Sequence, residues 1–244
     1  MCLFMKRFLL AAALLALPGA IASAFAGVVI EGTRVVYPGR EREVTVKMTN
    51  KGDGPVLMQV WADRGDAHSQ PQTADAPFLI TPPIFRLDAG KGQSVRVVFA
   101  GEDVPADRES LFWFNSLEVP AMPADTDRNY MQIALRSRLK LFYRPAGLRG
   151  DLPAAVEGVV WQVRPTAQGY ALHGENPSPY HVTFTKLLVI QDGQRYDAQS
   201  GMIDPLSSRD FPLTGFPGKR AGARVSYSWM SDYGPGPRAE AALQ

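Results

Sequence analysis

The residue types that usually carry catalysis are sparse and poorly spaced. The three histidines, His68, His173 and His181, have neither an i,i+4 zinc spacing nor an HExxH context. No GxSxG elbow is present to supply a hydrolase nucleophile. Gly90-Lys91-Gly92 and Gly218-Lys219-Arg220 lack the phosphate-loop pattern and read as turns. Asp63, Asp66 and Asp75 lie near turns and read as solvated loop carboxylates. Lys219, Arg220 and Arg224 make a small basic cluster, read as a solvated patch. The segment with binding chemistry is MQIALRSRLKLFYR, residues 131–144. In an extended chain, Met131, Ile133 and Leu135 share one face, while Gln132, Ala134 and Arg136 share the other. Three such apolar residues either line the chain's own core or are offered to another protein. The residue pattern alone favours the core.

The elements that position this segment are strands. The chain has 244 residues, with 22 glycines, 20 prolines and a 45% hydrophobic fraction. So many turn-formers argue for short β elements rather than helices. Alternating residues 44–48 run into Asn50-Lys51-Gly52-Asp53-Gly54, strong turn chemistry. A second strand spans 56–63, with Met58 and Val60 on one face and Trp61 on the other. Residues 78–80 lead into Thr81-Pro82-Pro83, and 93–99 alternate through Val95, Val97 and Phe99. Residues 111–119 are rich in aromatics, and 130–143 form a long strand. Arg144-Pro145-Ala146-Gly147 suits an interdomain turn. Weaker strands follow at 156–163, 169–174, 180–190, 209–213 and 224–230, and Asp192-Gly193 marks a hairpin. The proline-rich stretch after Gly234 leaves a final strand short or absent. No convincing amphipathic helix is predicted.

Residues 1–26 read as a secretory signal peptide. Lys6 and Arg7 precede an apolar run, Pro18-Gly19 breaks it, and Ala24-Phe25-Ala26 is an A-x-A site, with cleavage after Ala26 or Ala24. The run is shorter than the ~20 residues needed to span a membrane. Cleavage removes two basic residues and no acidic one, which makes the basic and acidic counts equal. It also removes Cys2, the only cysteine. A near-neutral total excludes a dominant basic patch for nucleic acid. Without disulfides, the exported chain depends on its cores for stability.

Several blocks accompany the long strand. Arg108-Glu109-Ser110-Leu111-Phe112-Trp113-Phe114-Asn115 precedes Val119-Pro120. Lys140-Leu141-Phe142-Tyr143-Arg144-Pro145 closes the strand, and Ser231-Asp232-Tyr233-Gly234 lies near the C-terminus. Thr33-Arg34-Val35-Val36-Tyr37 and Thr81-Pro82-Pro83 complete the series. In these motifs and their order, the chain resembles the periplasmic pilus (fimbrial) assembly chaperones of the chaperone–usher pathway. The likeness covers most of the chain after the leader.

The resemblance implies an all-β fold of two immunoglobulin-like β-sandwich domains, residues 27–147 and 148–244, set at an angle around a cleft. It implies a periplasmic chaperone that stabilises pilin subunits in 1:1 complexes by donor-strand complementation and delivers them to an outer-membrane usher. It implies no enzyme activity, catalytic residue, metal, cofactor, ATP, nucleic acid or membrane segment after signal cleavage. By the same likeness, Arg34 and Lys140 match the cleft pair that anchors a subunit's terminal carboxylate, with Arg138 a secondary candidate. Met131, Ile133 and Leu135 become the donated groove contacts, reversing the core assignment. Glu109, Arg144 and Asp232 match an interdomain ion network with a structural role. A short connection from Val119 to Tyr130 and the missing cysteine pair resemble the branch with a short F1–G1 loop. The resemblance makes Thr81-Pro82 a candidate cis bond, while the sequence itself leaves cis and trans open. The rival reading is an exported immunoglobulin-like pilus subunit or adhesin. That would need a donor segment at its mature N-terminus and an incomplete domain.

Overall fold

The computed structural model describes residues 27–101, 104–122, 131–218 and 221–244. The expected signal peptide 1–26, Tyr130, and Lys219 and Arg220 of the basic cluster lie outside the described residues.

The first sandwich is built from β1 (Val28–Ile30), β2 (Arg34–Pro38), β3 (Val44–Asn50), β4 (Val56–Asp63), β5 (Phe78–Thr81), β6 (Ile84–Leu87), β7 (Gly92–Phe99), β8 (Ser110–Pro120) and β9 (Leu135–Arg144). One sheet has the order β1-β3-β7-β5 and the other β2-β9-β8-β4-β6. Alternation supplies the core between them. Val46, Met48, Val95 and Val97 face Met58, Val60, Phe112, Phe114 and Leu141. Each fully buried side chain of this size contributes roughly 1.5–3 kcal/mol. Asn50 fixes the turn after β3. Its buried Nδ2 donates to Gly54 O (2.8 Å) and Leu87 O (3.0 Å), while its Oδ1 accepts from Gly52 N (2.9 Å). The Thr81-Pro82 peptide is cis.

The second sandwich comprises β10 (Val160–Thr166), β11 (Gly169–Asn176), β12 (Val182–Gln191), β13 (Gln194–Ala198), β14 (Gly201–Ile203), β15 (Ser207–Leu213), β16 (Arg224–Ser231) and β17 (Gly234–Ala242). Its core gathers Trp161, Leu172, Phe184, Val189, Phe211, Val225 and Tyr227. Asp192-Gly193 turns β12 into β13 with φ of 52° and 77° at the two positions, as a two-residue primed hairpin demands.

Four sequence expectations are corrected. Residues 152–157 form a short helix, α1 (Leu152–Glu157), where a strand was expected to begin at 156. Asp151 caps it by accepting from Ala154 N at 2.9 Å, and Pro153 suits the first turn. Leu152, Ala155 and Val156 are its buried residues, a helical spacing. A final strand does form. β17 pairs with β16 and ends the sheet, so Pro235 and Pro237 sit on an edge strand, the place where proline is tolerated. Gly236 lets that strand pass beneath Trp229, because an added Cβ would lie 2.5 Å from the indole. The expected strand 130–143 starts only at Leu135; residues 131–134 carry no ladder pairing. Finally, Trp61 and Asp63 are buried rather than outward and solvated, because the chain after β4 folds over that face.

Candidate functional site

The site grows out of one pairing. β2 runs parallel to β9, in a register that sets Arg34 directly beside Lys140. Leu141 and Tyr143 point into the first core, so Lys140, Phe142 and Arg144 lie on the opposite face, where they meet the second domain. Lys140 Nζ reaches Met202 Sδ on β14 at 3.1 Å, and the Phe142 ring lies 5.2 Å from that of His181.

Arg34 and Lys140 are short of partners. Arg34 is 9% exposed, and its Nε is buried without a hydrogen bond. Its guanidinium lies 5.4 Å from the centre of the Phe142 ring. Burial lowers its pKa, against the opposing pull of Asp232 and Glu109. Burial, then the charge of Arg34, brings the Lys140 pKa down to about 8. Among the described residues neither cation forms an ion pair. Two cations held side by side, partly dehydrated and with only a weak thioether acceptor, have the chemistry to receive one anion.

The neighbouring cation is paired with two carboxylates. Arg144 Nε donates to Glu109 Oε1 at 2.7 Å, while Nη1 and Nη2 donate to Asp232 at 2.8 and 3.0 Å. Burial opposes its charge, but the hydrogen bonds and charges of Asp232 and Glu109 outweigh that and raise its pKa. Glu109 Oε2 accepts from His181 N at 2.8 Å, and Glu109 N donates to Pro179 O at 2.9 Å. The cluster therefore ties Glu109, the residue before β8, and the end of β9 to residues 179–181 and 232 of the second domain. His181 and Pro179 carry no sequence signal for this part, because neither lies in a local pattern that names a partner.

Arg144→Ala leaves Glu109 as an uncompensated carboxylate. Arg144 and Asp232 keep 21% and 22% side-chain exposure. The expected loss is therefore on the order of 2–4 kcal/mol, at or below the buried-pair range. Calorimetry should find a Tm lower by roughly 5–10 °C, and small-angle scattering a changed domain arrangement. Unaltered melting and shape would argue against a structural role.

Met131, Ile133 and Leu135 are 86%, 60% and 57% exposed, so they do not line the chain's own core. Leu135 continues the register of Leu141 and Tyr143 beyond the end of that core. The pairing beside it is one-sided. β8 accompanies β9 from Leu135 to Tyr143, but β2 accompanies it only from Lys140 onward. Among the described residues, 135–139 thus present a free strand edge leading to the cation pair.

Arg138 is not a further cleft cation. Its Nη2 donates to Asp63 Oδ1 at 2.8 Å, its Nε donates to Asn115 Oδ1 at 3.1 Å, and its guanidinium lies over Trp113. Arg224 of the basic cluster pairs with Glu240 at 2.7 Å. Among the described residues, no group of three or more His, Cys, Asp or Glu is placed to hold a metal ion. Nor is any described helix long and apolar enough to cross a membrane.

Residues 27–149 match the family described as "Pili and flagellar-assembly chaperone, PapD N-terminal domain", and 154–241 match "Pili assembly chaperone PapD, C-terminal domain". The chain belongs to the pilus-assembly chaperone family. Among relatives of this chaperone, the "Chaperone protein FimB/FhaD" of Bordetella pertussis is 41% identical over 217 residues, covering 87% of this chain and 86% of the relative. The "Probable fimbrial chaperone YadV" of Escherichia coli K12 is 38% identical over 216 residues, covering 87% and 88%. The crystal structure of the YadV chaperone superposes with a TM-score of 0.75, covering 88% of this chaperone and 100% of that chain.

Proposed function

We propose that this pilus-assembly chaperone holds a pilin subunit along β9, with the subunit's terminal carboxylate between Arg34 and Lys140. It then passes the subunit to an outer-membrane usher from the periplasm. The observation that carries the reading is a cation pair that has no carboxylate partner among the described residues, at the end of a free strand edge. A pilin is a sandwich lacking its last strand, and its groove and edges aggregate when bare. An added strand offers main-chain hydrogen bonds along 135–139, while Leu135, Ile133 and Met131 fill the groove. No ATP or cofactor is required, because strand pairing and apolar burial supply the driving force. The rival, an exported pilus subunit, is not favoured: both halves of the chain match chaperone domains.

Co-expression with a pilin subunit, followed by native mass spectrometry of the periplasmic fraction, is expected to yield a 1:1 complex. Persistent absence of that complex across candidate subunits would sink the proposal.

Capture should also depend on pH. Lys140 is charged below its value of about 8 and loses its proton above it. Affinity for a carboxylate should therefore fall as pH rises through about 8. Stability of the free chaperone runs the other way. Between about 8 and the usual 10.5, the unfolded chain keeps a proton that the folded chain has lost, so stability rises with pH across that window. Titrating subunit binding from pH 6 to 9.5 should give a declining curve that flattens in Lys140→Met. An identical decline in that variant would remove Lys140 as its cause.

A further inference from the structure

Among the described residues, the half of β9 that precedes Lys140 has a strand neighbour on one side only. Such a stretch frays more readily than one paired on both sides. Yet its outward face is densely fixed. Arg136 donates through Nη2 and Nε to Asn115 Oδ1, at 2.8 and 3.2 Å, and through Nη1 to Ala67 O at 2.9 Å. Arg138 donates to Asp63 Oδ1 at 2.8 Å and to the same Asn115 oxygen at 3.1 Å. Asn115 Nδ2 in turn donates to Asp63 Oδ2 at 2.7 Å. The two guanidinium groups lie 4.9 Å from the Trp61 ring and 4.6 Å from the Trp113 ring. Asp63 and Asn115 are completely buried.

We infer that the Asp63–Asn115–Arg136–Arg138 cluster is a positioning device: it fixes the register of residues 135–139 relative to the cation pair. The inference rests on the donor-strand reading above. A buried carboxylate shared by two arginines is weak evidence for net stability, and fixing register is the best-attested use of such groups. A slip of β9 by one residue would turn Leu135, Ser137 and Leu139 to the wrong face. A slip by two in one direction would seat Lys140 where Arg138 belongs, without the planar fork. In the other direction it would seat Ala134 where Arg136 belongs, without any donor. Either slip would also part Lys140 from Arg34. The cluster leaves the free edge and the apolar face untouched, and the strand rise places Leu135 about 17 Å from Lys140. Arg136 and Arg138 are therefore positioning residues that act through β9.

The test compares Asp63→Asn, which leaves both arginines short of charge compensation, with Asp63→Leu/Arg138→Leu, which removes the pair together. Each is made in the full mature chain. Thermal unfolding, amide hydrogen exchange and capture of a pilin subunit lacking its own N-terminal extension are measured. Asp63→Asn should melt earlier. The double variant should regain most of the Tm, yet residues 135–139 should exchange about tenfold faster while 141–144 do not change. Its capture should fall by about tenfold. Recovery of both protection and capture would overturn the inference and leave the cluster a packing feature. If the double variant does not fold, Arg136→Gln keeps the Asp63–Arg138 pair and carries the same comparison. Faster exchange at 135–139 with an unshifted Tm supports the inference; unchanged exchange overturns it. Failure of the parent chain to capture any subunit would sink the donor-strand reading instead, and the exchange data would still decide the register claim.

Discussion

Leu135→Asp and Ile133→Asp should each abolish subunit capture while leaving the free chaperone folded. The two positions are 57% and 60% exposed, so their replacement in the free protein should change stability by no more than about 0.5 kcal/mol. In the complex the same carboxylate would enter an apolar groove without a partner. That costs several kcal/mol, so capture should weaken by roughly a thousandfold. Leu135→Met, which conserves volume and polarity, should retain capture. Calorimetry of the free variants and pulldown of a subunit give the two readings. Normal capture by both Asp variants would show that this face is not the one donated.

Arg34→Ala and Lys140→Ala should each weaken capture by about 10- to 100-fold, since a charge-assisted hydrogen bond contributes roughly 1.5–3 kcal/mol. The double variant should lose nearly all of it. The effect on the free protein has the opposite sign. Lys140 is dehydrated beside another cation, a burden that the charge of Asp204 only partly offsets, and among the described residues it forms no ion pair. Replacing it with methionine removes that burden, and the stem it leaves can still pack. After discounting for its partial exposure, the gain at pH 7 is on the order of 1 kcal/mol, or a rise of about 2–4 °C in Tm. A variant that melts later and binds worse is hard to explain by general damage to the fold. Unchanged capture by Arg34→Ala and Lys140→Ala would remove the anchor, whatever the melting data.

Much of the first domain was readable because its strands are half-buried and alternate cleanly. Val95 and Val97, or Met58 and Val60, announce an inward face, and Asn50 to Gly54 announces the turn between two of them. The second domain was harder. Leu152 to Val163 is apolar enough to suit either element, and the Asp151 cap with Pro153 was the overlooked local signal. β17 was obscured by its prolines, which are disfavoured within a sheet but acceptable at its edge. Buried charge was the least legible. Nothing local distinguishes Asp63 from Asp66 or Asp75; only β4 pairing with β8, and β8 with β9, brings Arg138 to it. Arg34 and Lys140 are separated by more than a hundred residues. The family motifs singled them out, and the parallel register of β2 and β9 sets them side by side.

That register has a directional consequence. β2 occupies the edge of β9 from Lys140 onward, so a guest strand on 135–139 has to stop where β2 begins. If it runs in the same sense as β9, its last residue arrives at two cations and its carboxylate is welcomed. If it runs the opposite way, it delivers an ammonium there and is repelled. An internal stretch of polypeptide has no terminus to present and would collide with β2. On the proposed donor-strand reading, the cleft would therefore discriminate by polarity and by chain ending.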